Sequence, residues 1–216
     1  TELLNHKFFD FNRPTVMYCH GWTQNADSSL TKLITKAYLK RNSQNFLILD
    51  WGDYSGGFYD VVKVEMFQMS RVFGKKISLL FDNGLNVKTF HCVGHSFGAH
   101  ACGIIGRELI DGLMENTSWP GLQNRSFFES LINLETFRIS GLDPAGSGFF
   151  PQPTGEKPVN RDDADFVDLI HSDVSYIGTR FPTGHADFYP DYELLQPSCP
   201  WPIFALFDFD NCELTH

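Results

Sequence analysis

The chain reads as an α/β protein with a mostly parallel central sheet and helices on both faces, and three observations predict this. Strand-like runs alternate with helix-like runs along the sequence. The strand-like runs are nearly continuous in Val, Ile, Leu and Phe, as strands covered on both sides must be. One of them passes through Gly94-His95-Ser96-Phe97-Gly98 straight into a helix-like stretch, which is a sharp strand-to-helix turn around one hydroxyl.

The elements follow in order. Thr15–Cys19 is the first strand, and Ser28–Lys40 is a helix whose charged residues leave an apolar stripe. Phe46–Asp50 is the second strand and Tyr59–Asp82 a long helix. Phe90–Val93 leads to the Ser96 turn, and Gly98–Met114 continues as a helix. Phe127–Asn133 is a further helix, and Thr136–Ser140 and Phe166–His171 complete the expected strands. With no linker or internal repeat in 216 residues, residues 1–216 are expected to form one domain.

Composition excludes some functions. A net charge of −9 without a basic run argues against a nucleic-acid partner and against general attraction to an anionic membrane. An aromatic content of 15%, with 21 Phe, suits both a dense core and a site for acyl chains. No apolar run has transmembrane length, and no leader pattern stands at the N-terminus. Cys19, Cys92 and Cys102 lie within apolar strand or helix patterns and read as buried free thiols. Cys199 and Cys212 bracket a Pro- and Phe-rich loop segment and are expected to pair, which implies an oxidising compartment. The sequons at Asn116 and Asn124, in a polar stretch, fit an exposed glycosylated loop of a secreted protein.

The chemistry centres on Ser96. The flanking glycines leave room for a strained turn, and the N–H groups of the following helix face the place where an acyl oxygen would gain charge. A serine hydroxyl needs an adjacent base oriented by a carboxylate. Asp143, in a turn after a strand, is the candidate acid.

Five ordered motifs carry a resemblance. They are His20-Gly21-Trp22, Gly94 to His100, Gly141-Leu142-Asp143-Pro144-Ala145-Gly146, Asp165 to Asp173, and Gly184 to Pro190. Together they resemble the pancreatic-lipase family, and within it the arthropod neutral lipases and phospholipases A1. The likeness implies an α/β-hydrolase fold and hydrolysis of a lipid carboxylic ester at a transient lipid interface. Against that family the chain is expected to be truncated at both ends.

The same resemblance implies the remaining roles. His216 stands at the position of the base, four residues after Cys212 where the family usually has two. His171 and His185 match positions that are not the base, and His95 and His100 read as packing or hydrogen-bonding residues. The backbone N–H groups of Trp22 and Phe97 are the implied oxyanion donors, each worth about 3–4 kcal/mol to a transition state. The segment between Cys199 and Cys212 corresponds to the family's lid, with Trp201, Ile203, Phe204, Leu206 and Phe207 as its apolar residues. That lid and the loop between His171 and His185 are short, which resembles the phospholipase A1 branch.

No cofactor is expected. Family members can hold Ca²⁺ ahead of the strand at 166–171, but here Asp163 matches while Asn160 replaces an acid and Pro158 an arginine, so the segment reads as a solvated acidic loop. A rival reading is a non-catalytic storage or carrier protein that binds an apolar small molecule in the former substrate cleft. The retained Ser96 favours the enzyme.

Overall fold

In the computed structural model the described residues are 2–115, 137–151, 155–174 and 177–190. The helix expected at Phe127–Asn133, both sequons, the lid residues Trp201, Ile203, Phe204, Leu206 and Phe207, the pair Cys199 and Cys212, and His216 lie outside them. Six strands form one sheet: β1 (Thr15–Cys19), β2 (Asn45–Leu49), β3 (Phe90–His95), β4 (Arg138–Leu142), β5 (Phe166–Ile170) and β6 (Ala186–Phe188). Their spatial order is β2-β1-β3-β4-β5-β6, and every neighbouring pair is parallel.

Residue parity sorts the sheet into two faces, because successive strand side chains point to opposite sides. Val16, Tyr18 and Val93 pack with Ile34 and Tyr38 of helix α1 (Ser29–Arg41). Met17, Cys19, Cys92 and Ile139 belong to the larger core beneath α3 (Tyr59–Asp82) and α4 (Phe97–Glu115). On α3 the buried Val62, Met66, Phe67, Ser70 and Gly74 trace a helical stripe. Gly74 allows α4 to come close: a Cβ there would lie 2.6 Å from the Glu108 Cβ. Helix α1 stops at Asn42, a left-handed C-cap whose N–H returns to the Tyr38 carbonyl.

β1, α3 and the start of β5 fall where the sequence places them. β3 runs two residues past its expected end, because its pairing with β4 continues to His95↔Leu142. That extension delivers the chain to Ser96 with no intervening loop. The short helix α2 (Gly52–Ser55) carries no apolar period and went unread in the sequence.

One cysteine assignment needs correction. Cys92 and Cys102 are joined by a disulfide, and Cys19 is the free, buried thiol. The turn at Ser96 folds α4 back over β3, and this brings the two Cα atoms to 5.9 Å. Within separate apolar patterns the two cysteines look like independent packing residues, and only the fold-back pairs them.

Candidate active site

The chain order and the sheet order together mark one place. From β1 the chain turns outward to β2, then crosses back to β3 on the other side and continues outward to β6. The direction reverses between β1 and β3, and in open α/β sheets a crevice opens at the carboxyl ends of such strands. His20-Gly21-Trp22 follows β1 there, and Ser96 follows β3.

Backbone strain collects at the same place. Among the described non-glycine residues with left-handed φ, Asn42 caps a helix, while Thr23 (61°), Ser96 (53°) and Asp143 (46°) surround this crevice. The Ser96 turn survives because the chain is bare on both sides. A Cβ at Gly94 would lie 2.1 Å from the Gly98 carbonyl oxygen, and one at Gly98 would lie 2.0 Å from the Cys19 carbonyl oxygen. The Ser96 N–H donates to the Leu142 carbonyl at 2.9 Å, which ties the elbow to the end of β4.

The loop after β1 lies directly against Ser96. A Cβ at Gly21 would lie 3.1 Å from the Ser96 Cβ and 3.1 Å from His95 Nδ1. Phe97 opens α4, so its N–H belongs to the first turn, where no intrahelical acceptor exists. Trp22 and Phe97, the two expected oxyanion donors, thus follow directly in sequence the two residues in close contact, Gly21 and Ser96. Their aromatic groups are linked through Tyr59, whose ring lies 5.3 Å from Trp22 and 4.6 Å from Phe97. Phe149 extends this apolar wall at 6.0 Å from Phe97.

Asp143 sits one strand further along. Its N–H donates to the Ile170 carbonyl at 2.7 Å, and its Oδ1 accepts the N–H groups of Ser172 at 2.9 Å and Asp173 at 2.8 Å. Burial pushes its carboxyl up to about 7, and the backbone donors from Asp173 and Ser172 work against that shift. The loop after β5 closes tightly on it, since a Cβ at Gly178 would lie 2.8 Å from Asp143 Oδ1.

The histidines separate by their partners. His171 is buried, with Nδ1 2.7 Å from the Thr179 carbonyl and Nε2 2.8 Å from Asp187. His185 accepts the Val167 N–H at Nδ1. His100 donates from Nε2 to the Ala145 carbonyl, accepts the Val159 N–H at Nδ1 and stacks on Phe149, and burial lowers it to about 3. Each is held as an element of the scaffold. His20 was unassigned beyond its motif, and it anchors the loop. Its Nε2 accepts the Trp51 N–H, its Nδ1 donates to the Gly21 carbonyl, and burial first of all lowers its pKa.

A second Ser, His and Asp set lies within the sheet and has the wrong polarity for catalysis. Ser140 donates its hydroxyl to Asp168 at 2.7 Å, so His91 Nε2, 2.9 Å from Ser140 Oγ, faces an oxygen it can only donate to. A base must accept the serine proton.

The acidic segment at 156–163 also needs correction. Asp163 is 1% exposed rather than solvated, and its Oδ1 receives Arg107 at 2.7 Å. Its Oδ2 accepts the Asn160 N–H at 2.9 Å. Sequence alone could not show this, because Arg107 comes from α4. Among the described residues no cluster of three or more His, Cys, Asp or Glu side chains is placed to hold a metal ion.

A parallel sheet with its reversal point at β1/β3 and a strained serine between strand and helix defines the α/β-hydrolase class. Residues 1–210 match the family described as Lipase, and the chain belongs to that family. It is 30% identical over 215 residues to the lipoprotein lipase of Neovison vison, covering 92% of this chain and 38% of that one. It is 26% identical over 209 residues to lipase member H-A of Xenopus laevis, covering 96% of this chain and 40% of that one. The chain thus spans about two fifths of the length of these relatives. A ferulic acid esterase structure from Anaeromyces mucronatus superposes at TM-score 0.47 with 13% identity, over 95% of this chain and 80% of that one.

Proposed function

We propose that this chain carries the catalytic centre of a secreted serine esterase that hydrolyses lipid carboxylic esters through an acyl-enzyme. The observation that supports this most directly is Ser96, held at a left-handed φ of 53° between β3 and α4, against the loop at Gly21. In this reading Ser96 Oγ attacks the ester carbonyl carbon, and His216 takes the hydroxyl proton and passes it to the leaving alcohol. Asp143 orients the imidazole, and the N–H groups of Trp22 and Phe97 receive the oxyanion. Water then repeats the sequence on the acyl-enzyme and frees the acid. The Cys92–Cys102 disulfide supports an oxidising, extracellular compartment. Among the described residues no helix is long and apolar enough to cross a membrane.

Within this class we place the substrate with the phospholipids, cleaved at the sn-1 ester. The segments at 171–185 and 199–212 are short in sequence, and in this reading a short rim lets a phosphate head group stay in water while one acyl chain meets the apolar wall. Burying that phosphate unpaired would cost several kcal/mol. A fluorophosphonate tests the esterase reading by labelling the purified protein at Ser96, and phosphatidylcholine against triolein tests the substrate. Faster release from triolein overturns the phospholipid assignment. No labelling and no release, with an apolar molecule co-purifying, makes the chain a carrier.

A further inference from the structure

Building on the proposed role of Ser96, we propose that Gln24 is a positioning residue that fixes the oxyanion loop against the nucleophile through its side-chain oxygen. Gln24 is 5% exposed, which is uncommon for a glutamine in a loop. Its Oε1 accepts the Gly21 N–H at 2.8 Å, and its own N–H donates to the Gly21 carbonyl at 3.3 Å. The turn Gly21-Trp22-Thr23-Gln24 is therefore closed twice between the same two residues. That double closure sets the direction of the intervening Trp22 peptide, which is the proposed oxyanion donor. Thr23 holds the left-handed φ of 61° within the turn, and its N–H is fixed by the Ser55 carbonyl at 2.8 Å. Ser55 Oγ in turn donates to the Gln24 carbonyl, so α2 holds the turn from behind.

The same oxygen reaches the other half of the hole. His95 Nδ1 lies 3.3 Å from Gln24 Oε1, and His95 immediately precedes Ser96. One atom thus joins the loop after β1 to the elbow after β3. Gly21 sits close on Ser96, where a Cβ would stand 3.1 Å from the Ser96 Cβ, so a small movement of the loop changes the distance between nucleophile and donor. A glutamine suits this better than an acid. Its oxygen accepts two N–H groups without placing a charge beside a developing oxyanion, where a negative group would oppose the transition state.

The test measures kcat and KM on a soluble p-nitrophenyl ester, and the affinity of a trifluoromethyl ketone whose tetrahedral adduct places its oxygen in the hole. Gln24→Met keeps the volume and removes the acceptor, while Gln24→Glu keeps an acceptor oxygen. Removing an oxyanion donor outright costs about a hundred- to a thousand-fold in kcat, and a misaligned one should cost about ten- to a hundred-fold. The expected result for Gln24→Met is that loss in kcat with KM within about twofold and a matching loss of ketone affinity. Gln24→Glu should restore only part of both, because its oxygen still accepts the Gly21 N–H while its charge opposes the oxyanion. Wild-type kcat and ketone affinity in a folded Gln24→Met variant overturn the assignment, as does a loss confined to KM. Should Gln24→Met unfold at the assay temperature, Gln24→Leu takes its place with the same expected losses, and wild-type kcat and ketone affinity in that variant overturn the assignment. A wild type that no fluorophosphonate labels sinks the esterase reading instead, which keeps the two failures distinct.

Discussion

At the ends of β1 and β3 the chain holds Ser96 through main-chain geometry, whereas at the ends of β4 and β5 it holds Asp143 through hydrogen bonds from a distant loop. The first half depends on Gly94 and Gly98, where backbone meets backbone at distances no side chain could share. The second depends on the N–H groups of Ser172 and Asp173, which a loop must bring to one carboxylate oxygen. Backbone-held geometry is local and stiff. Bond-held geometry is non-local and rests on a group whose charge can change. The two halves should therefore fail differently when broken.

The largest expected effect is on the nucleophile half. Ser96→Ala should lower kcat on a p-nitrophenyl ester by about a million-fold, as loss of the nucleophile does in a serine triad. The variant should keep its melting temperature, because the turn is held by the glycines and not by the hydroxyl. Turnover near the wild-type rate in the Ala variant would show that the hydrolysis belongs to another group.

On the other half, Asp143→Asn should cost about ten-thousand-fold in kcat, the size seen when the orienting carboxylate of a triad becomes an amide. Fluorophosphonate labelling of Ser96 should slow but persist, since the elbow and the loop at Gly21 do not depend on the carboxylate. A decrease below about tenfold would move the acid role away from Asp143.

The same contrast explains what the sequence revealed. Gly94 to Gly98 was legible because strand, turn and helix are consecutive and the glycines are demanded locally. β1, α3 and the alternation that produces a parallel sheet were legible for the same reason, as periodic burial within one segment. Tyr59 and the donors at 172–173 were not, because each acquires its place from a segment far away in sequence, and the contact of Gln24 with His95 spans 71 positions. Asp163 looked solvated for want of Arg107, which sits 56 positions earlier on α4. The disulfide was missed likewise: Cys92 and Cys102 each fit an apolar pattern, and only the fold-back at Ser96 makes them partners.

That disulfide gives a third expectation, smaller in scale and confined to stability. It staples β3 to α4 on either side of the elbow, with a sequence separation of 10. Closing a loop of that size is worth about 2–3 kcal/mol in the chain-entropy picture. The double replacement Cys92→Ala and Cys102→Ala should lower the unfolding free energy by about that much, read from the midpoint in urea. Thiol titration of the denatured, unreduced wild type should find Cys92 and Cys102 blocked and Cys19 reactive. Reactive thiols at 92 and 102 would remove the staple and its support for an oxidising compartment.

The smallest effect is the dependence of stability on pH, and here the two halves oppose each other. Burial lowers His20, His95 and His100 near Ser96, and His91 at the far end of β3, from the usual 6.5, with His91 and His95 at about 4 and His100 at about 3. Below 6.5 the unfolded chain takes up these protons and the folded chain refuses them, so stability is lost as pH falls towards 4. Asp143 and Asp163 run the other way. Burial raises them to about 7 and about 6, so the folded chain keeps protons that the unfolded chain has released, and stability is lost as pH rises from about 4. Four histidines outweigh two carboxyls, and the melting temperature should therefore be lower at pH 4.5 than at pH 6.5. Asp143→Asn removes one opposing contribution, so its melting temperature should fall more steeply over the same interval. A wild type that gains stability on acidification would show that the buried imidazoles accept protons in place. An Asn variant with an unchanged slope would show that Asp143 stays ionised throughout, held by its backbone donors against the cost of burial.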